Sequence, residues 1–236
     1  MKVLPITTRV FKENEDLFSF VYAHVRKLKE GSILAVTSKI VALSEGRIAV
    51  VRNKEEREKL IRFESEWSHK SKYITLAMKD GMLMANAGID SSNAMGKLVL
   101  LPKDSFSSAE LLRRKLCAHY KIKNLGVIIT DSRCFPLRAG VVGVSLGHAG
   151  FRGMKDYRGM PDIFGRKMKI TQVNVADSLA ASAVFAMGEG SERRPLAIIR
   201  DAPVEFCEKV NQKELQIEMK DDMYSPLFKK NLRGMK

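Results

Sequence analysis

The stretch Gly126–Lys155, GVIITDSRCFPLRAGVVGVSLGHAGFRGMK, decides how the chain is read. Its apolar run Val127-Ile128-Ile129-Thr130 predicts a short buried strand. The run ends at once in Asp131-Ser132-Arg133, an acid, a hydroxyl and a cation side by side. A second polar segment, Leu137-Arg138-Ala139-Gly140, leads into another β-branched run and then Gly147-His148-Ala149-Gly150. Residues just past a paired strand meet solvent while the strand holds their backbone, which suits a binding or catalytic site. The same residues also suit a hydrogen-bonded turn, and this stretch alone leaves both readings open.

Upstream, Val3-Leu4-Pro5-Ile6 predicts an edge strand, because proline gives no ladder hydrogen bond. Leu17, Phe20, Val21, His24, Val25 and Leu28 fall at helical spacing over residues 15–28, with Gly31 as a stop. Residues 32–37 predict a strand, followed by Ser38-Lys39 and a turn at Ser44-Glu45-Gly46-Arg47. Residues 54–70 predict a charged helix, with Trp67 on its face and its charges forming a solvated surface. Tyr73–Met78 and Met82–Asn86 flank Asp80-Gly81, a hairpin signal. A strand over Lys97–Leu101 stops at Pro102, and Ser105 or Ser107 can cap a helix running to about Tyr120. His24 and His119 read as structural.

Downstream, residues 151–169 predict an irregular, cationic segment. Asn174 caps a helix over Val175–Met187 whose alanines favour close packing. Gly188-Glu189-Gly190 ends it, Pro195–Arg200 makes a last strand, and a short helix is expected near Pro226–Leu232. No linker, low-complexity tract or repeat interrupts the 236 residues, so one body of mixed strands and helices is expected.

Composition narrows the function classes. No apolar run approaches the roughly 18 residues needed to cross a bilayer, and no signal peptide is visible. Three scattered cysteines without a CxxC pair argue against disulfides and structural zinc, and a reducing cytoplasm is expected. A formal charge of +14 suits nucleic acid, a membrane surface or small anions. Aromatic residues make up only 7%, and no basic helix or aromatic platform is evident, which argues against nucleic acid. There is no GxxxxGK[ST] loop, no GxGxxG after a strand, no HExxH and no GxSxG. What remains are acids following strands, Asp90 and Asp131, with Glu189 between glycines beyond a helix. Carboxylates and a hydroxyl suit hard divalent cations, and arginines over 133–166 suit phosphate or carboxylate oxygens. Each acid alone also reads as a turn or cap residue, and the basic loop as solvated surface. The chemistry by itself points to a metal-dependent enzyme acting on anionic substrates, with a phosphotransferase as one alternative and a basic nucleic-acid-binding protein as another.

Eight short motifs in order resemble the coenzyme F420-0:γ-glutamyl ligase family, including its bacterial folate-metabolism relatives. They are Thr37-Ser38-Lys39 with Glu45-Gly46-Arg47, residues 86–93 (NAGIDSSN), Leu100-Leu101-Pro102 and residues 128–132 (IITDS). Residues 138–143 (RAGVVG), 156–166 (DYRG and DIFGR), 175–177 (VAD) and 187–190 (MGEG) complete the set. The resemblance implies an α+β fold of mixed and antiparallel sheets with packed helices, as one domain over 1–236 or two intertwined subdomains. It implies ligation of L-glutamate to an acceptor carboxylate, consuming GTP (or ATP) with two divalent cations, magnesium or manganese. Asp90, Asp131, Ser132 and Glu189 would hold metal. Ser38, Lys39, Asn93, Met187, Gly188 and Gly190 would contact the nucleotide. Arg138, Arg152 and Arg158 are the candidates to orient substrate carboxylates. A homodimer without membrane or nucleic-acid partners is implied. Thr8-Arg9-Val10 stands where relatives carry Leu-Pro, and Leu43 where they carry lysine. Both departures fall on the nucleotide pocket, leave GTP against ATP open, and tilt the expected acceptor from deazaflavin towards folate.

Overall fold

The apolar run at Val127–Thr130 becomes the interior of a nine-residue strand, because neighbours on both sides complete its hydrogen bonds and helices cover both its faces. The computed structural model describes residues 1–94 and 96–228. The first elements are β1 (Lys2–Ile6), α1 (Leu17–His24), β2 (Ser32–Thr37), α2 (Ser38–Ser44), β3 (Ile48–Ala49) and α3 (Lys54–Phe63). Next come β4 (Trp67–Lys70), β5 (Thr75–Lys79), β6 (Met82–Ala85), β7 (Leu98–Val99) and α4 (Ser105–Tyr120). The chain continues through β8 (Leu125–Arg133), β9 (Val142–Ala149), β10 (Met154–Asp156), β11 (Gln172–Asn174), α5 (Val175–Met187), β12 (Leu196–Arg200) and α6 (Ser225–Phe228).

The main sheet has the order β1-β12-β2-β8-β9. Only β2 and β8 pair in parallel, in register from Ser32 opposite Leu125 to Thr37 opposite Thr130. Side chains alternate between the two faces, as pleating requires. Ile33, Ala35, Ile128, Ala197 and Ile199 pack with α5. Leu34, Val36, Val127, Ile129, Leu196 and Ile198 pack with residues of α1 and α4. Ile33, Leu34, Ile128 and Ile129 are fully buried, each contributing about 1.5–3 kcal/mol relative to exposure. The fold is therefore α+β with a mixed sheet, as expected.

Parallel strands need a long crossover, and residues 38–124 supply it. This segment builds a smaller layer, the sheets β4-β5-β6 and β3-β7 with α3. Ile61, Ala77, Ile89, Leu98 and Leu100 form its own apolar cluster. The Asp80-Gly81 hairpin forms as predicted, with φ of 53° and 72°.

Several expectations change. The helix expected over 54–70 stops at Phe63, and Trp67–Lys70 is a strand paired with β5. Glu64, at the helix end, is held by Arg47 and Lys79 at 2.6 and 2.8 Å, which turns the chain there. Residues 38–44 form a helix not predicted from the sequence. The cap of α4 is Asp104, whose carboxylate accepts from Ser107 N–H at 2.9 Å, rather than Ser105 or Ser107. Asn174 caps α5 as expected, accepting from Asp177 N–H. Strand β8 carries on through Asp131 and Ser132, so these residues are paired strand residues and not a turn. The segment 151–169 contains β10, which pairs with β11 as a ribbon. The tail helix covers Ser225–Phe228, and the rest of that expected helix lies outside the described residues. No helix among the described residues is long and apolar enough to cross a membrane.

Close packing makes two β9 glycines obligatory. A Cβ on Gly143 would meet the Val184 side chain of α5 at 2.6 Å, and one on Gly147 would meet the backbone of Ser105 and Phe106 at 2.6 Å. Backbone at the start of α4 cannot yield cheaply. We expect Gly147→Val to lower stability by about 3 kcal/mol or more, since overpacking alone costs roughly 1–3; chemical denaturation reads this directly.

His148, between those helices on β9, is fully buried. Its Nε2 lies 3.1 Å from the Glu214 carboxylate, and Glu214 also accepts from Gly153 N–H at 2.6 Å. The pair fastens the tail beyond β12 to the body. Burial pushes the His148 pKa down, outweighing the upward pull of Glu214 and Asp177. The folded chain thus favours the neutral ring, and the unfolded chain takes up the proton more readily. Stability from this site is full above the ordinary histidine value of about 6.5 and declines as pH falls below it. Between neutral pH and about pH 5, the melting temperature of the wild type should fall further than that of His148→Gln; equal falls would refute the assignment.

Candidate functional site

Parallel pairing of β2 with β8 sends both chains out of the sheet at the same end. Thr37 is opposite Thr130, so Ser38 and Lys39 emerge beside Asp131 and Ser132. Strand β12 enters at this end too, with Leu196 opposite Val36 and Pro195 C=O accepting from Thr37 N–H at 3.0 Å. The turn after α5, carrying Gly188, Glu189 and Gly190, leads into that strand. Ligands of α/β sheets favour this carboxyl end of parallel strands.

Asp90 comes from the smaller layer. It follows three residues with positive φ, Asn86 (51°), Ala87 (54°) and Gly88 (72°). A left-handed alanine is uncommon and carries strain that surroundings must hold. A Cβ on Gly88 would strike Leu101 at 2.6 Å, so glycine is required there for space as well as conformation. The Asp90 backbone then pairs with Val99. Its side chain accepts from Ser92 N–H and Oγ, both at 2.7 Å, an Asx turn. Lys39 Nζ reaches across from α2 to Asp90 Oδ2 at 2.6 Å, and donates to Ser92 C=O and Oγ at 2.9 and 3.0 Å.

On β8, Asp131 is paired with Arg133, whose Nη1 also donates to Ser132 C=O at 2.9 Å. The Arg133 guanidinium is buried against Met84, and its Nε has no hydrogen-bond partner. Glu189 completes the cluster. Burial raises its pKa, the Ser132 hydroxyl and Lys39 oppose this, and the Asp131 and Asp90 charges add to it. Each of those groups therefore lies within electrostatic reach of Glu189. Burial also raises the Asp90 pKa, but Lys39 and Ser92 outweigh it, and the net direction is down.

The donor set is all oxygen: three carboxylates and a hydroxyl, which fits magnesium or manganese. Among the described residues no three acidic, histidine or cysteine side chains already stand in the arrangement of a formed metal site. Asp90 and Asp131 are instead turned onto Lys39 and Arg133. To hold a divalent ion, they must exchange those partners for it.

The residues expected at the nucleotide lie around the same rim. Ser38 is buried at the start of α2, Met187 is buried at the end of α5, and Asn93 sits in an exposed turn with φ of 50°. The Gly190 N–H donates to Glu192 at 2.8 Å, so a carboxylate already takes a donor that a phosphate would use. Thr8 N–H binds Arg193 C=O, which puts the departure at 8–10 beside the 188–195 turn. Arg9 is occupied by Glu15, and Leu43 packs against the main core.

Of the three arginines expected to orient substrate, Arg138 stands exposed on the loop joining β8 to β9, the loop that leaves the sheet at this end. Arg152 leaves β9 at the opposite end, since Val144 faces Asp131 while Ala149 faces Val127. Five residues of strand are roughly 17 Å, and Arg152 is held there by Glu205 at 2.6 Å. Arg158 is folded back on Asp156 in the turn after β10. The chain thus gathers Lys39, Asp90, Asp131, Ser132 and Glu189, carries Arg138 on the loop that follows β8, and does not bring Arg152 to them. Sequence reasoning did not single out Arg133 as the partner of Asp131, or Glu192; an i, i+2 acid–cation pair on one strand face was the available signal for the first.

Residues 58–201 match the family model described as F420-0:Gamma-glutamyl ligase. The coenzyme F420:L-glutamate ligase of Archaeoglobus fulgidus is 37% identical over 211 residues, 81% of this chain and 83% of its own. That of Methanopyrus kandleri is 33% identical over 222 residues, 84% of each. That of Methanococcus maripaludis strain C7 is 41% identical over 152 residues, 64% of this chain and 60% of its own length. A model spanning more than half of the chain, together with relatives matched along most of their length, means that the chain belongs to the F420-0:γ-glutamyl ligase family.

Proposed function

We propose that this chain joins the amino group of L-glutamate to a carboxylate of an acceptor, at the expense of a nucleoside triphosphate, GTP or ATP. The convergence of Asp90, Asp131, Ser132 and Glu189 at one end of the sheet carries this reading. A carboxylate resists an amine because its leaving group would be an oxide. Transfer of the γ-phosphoryl group onto it releases the nucleoside diphosphate and gives an acyl phosphate. The glutamate amine then attacks the acyl carbon, phosphate departs, and the amine proton is lost. Two divalent cations held by the four oxygen-bearing side chains would neutralise nucleotide and carboxylate charge and stabilise the oxygens around the moving phosphorus. Lys39, freed from Asp90, keeps a cation beside the same oxygens, and Arg138, on the loop after β8, would hold an incoming carboxylate.

The relatives named above are described as acting on coenzyme F420, so the deazaflavin acceptor takes precedence over folate. The departure at Thr8-Arg9-Val10 lies beside the 188–195 turn and would bear on GTP against ATP, whereas Leu43 packs into the main core. Incubation with each nucleotide, manganese or magnesium, glutamate and either acceptor should give a product heavier by one glutamyl unit; no product with any acceptor would overturn the reading. Asp131 is partly exposed at a strand end. Asp131→Asn should cut metal-dependent turnover by about 100-fold or more while leaving the far-UV circular dichroism unchanged. Full activity in that variant would refute the metal assignment.

We also infer a homodimer. The ribbon β10–β11 and its connecting loop expose Ile163, Phe164 and Ile170, each more than 85% accessible, and Phe185 of α5 is equally bare. Exposed apolar groups in such number mark an interface, and a second copy of the same chain is the commonest occupant. Light scattering should give twice the 26.5 kDa chain mass, and Phe164→Asp should return a monomer.

A further inference from the structure

A second concavity lies outside the acidic cluster. A cleft of about 520 Å³ opens between the start of α3 and the loop joining β4 to β5. That volume is the size of a small-molecule site. Five cations line it, Arg52, Lys54, Arg57, Lys70 and Lys72, against a single acid, Glu58. Lys70 is paired with Glu58 at 2.7 Å. Among the described residues, Arg52, Lys54, Arg57 and Lys72 have no salt-bridge partner. This contrasts with Arg152 and Arg158, whose charges are already answered by Glu205 and Asp156. Like charges gathered in a hollow repel one another, and an anion relieves that repulsion. Tyr73 stands at the rim with an exposed ring, and Lys72 lies over it at 5.1 Å.

The cleft also touches the acidic cluster through one short piece of chain. Asn86 lines the cleft, and its Oδ1 accepts from Thr75 N–H at 3.0 Å, tying the loop to the turn that leads to Asp90. Three residues lie between Asn86 and Asp90, a span of at most about 14 Å from one to the other. One elongated molecule can therefore occupy the cleft and present its far end to the cluster.

We propose that this cleft is a polyanion-binding subsite that takes the end of the acceptor remote from the reacting carboxylate, a small molecule bearing two or more carboxylate or phosphate groups. The assignment of the bound molecule as acceptor rests on the ligase reading; the affinity for small polyanions does not. Arginine suits such groups because its planar fork gives two parallel hydrogen bonds. Lys72 is exposed and Arg57 half-buried, and neither belongs to the apolar cluster around Ile61.

Calorimetric titration of the full chain with tri-γ-glutamate and, separately, with inorganic tripolyphosphate tests the subsite and tells carboxylate from phosphate preference. Both probes should bind less tightly as salt rises. The double variant Arg57→Gln/Lys72→Gln should lose about tenfold or more in affinity, while Asp131→Asn should bind as the wild type does. Wild-type affinity in the double variant, or loss of binding in Asp131→Asn alone, would overturn the subsite. Tighter binding of a single-stranded RNA, lost in the same double variant, would overturn the small-molecule assignment. In turnover, the double variant should raise the acceptor KM about tenfold with kcat and the nucleotide KM unchanged; a fall in kcat alone would refute the acceptor role. Should ligation fail with every acceptor, the titrations still decide the cleft.

Discussion

One pair of parallel strands constrains everything else in this protein. Because β2 and β8 run in the same direction and in register, a lysine that follows one and an acid that ends the other must share an edge of the sheet. Antiparallel pairing would have sent them to opposite ends. The parallel geometry demands a long crossover, and the chain builds its second layer from that connection. The layer returns Asp90 to the edge from which the crossover left. The acid of the main sheet and the acid of the small one thus meet because topology requires it, although 40 residues of sequence lie between them.

Electrostatics explains how such a concentration of acids is tolerated. Lys39 and Arg133 each neutralise one carboxylate, and both cations are largely removed from water. Arg133, the last residue of β8, is buried with one nitrogen unsatisfied, which is costly for a buried donor. Among the described residues Glu189 has no ion pair, and burial with two neighbouring acids raises its pKa against the pull of Ser132 and Lys39. The arrangement is a set of carboxylates whose charge is balanced by side chains that can be exchanged. A site held by permanent, fully buried ion pairs would offer no such exchange, because breaking one leaves an uncompensated charge.

Much of this was legible in the sequence, and the failures have definite causes. Helices α4 and α5 carry long periodic faces and capping residues, and the Asp80-Gly81 hairpin has its turn chemistry written out. Asp90, Asp131 and Glu189 were recognisable through short ordered motifs. Helix α2 was hidden because seven residues give too little periodicity, and its apolar run matches a strand equally well. Trp67–Lys70 continued a charged helical pattern by eye, yet pairing with β5 overrode it, a tertiary effect that local propensity does not contain. The charges over 54–70 read locally as plain surface, since nothing in the spacing says that Arg57 and Lys72 face one hollow. The link from His148 to Glu214 spans 66 residues and left no trace in spacing.

The order of strands also governs how the chain can be made. β12, formed by residues 196–200, lies between β1 and β2, both of which are translated well before it. Until Leu196 emerges, β1 has no neighbour and the outer edge of β2 offers its backbone groups to any passing strand. Biogenesis is therefore end-gated: the early half must wait, guarded or at risk of aggregation, for a segment translated late. Contacts between such distant parts of a chain also slow folding.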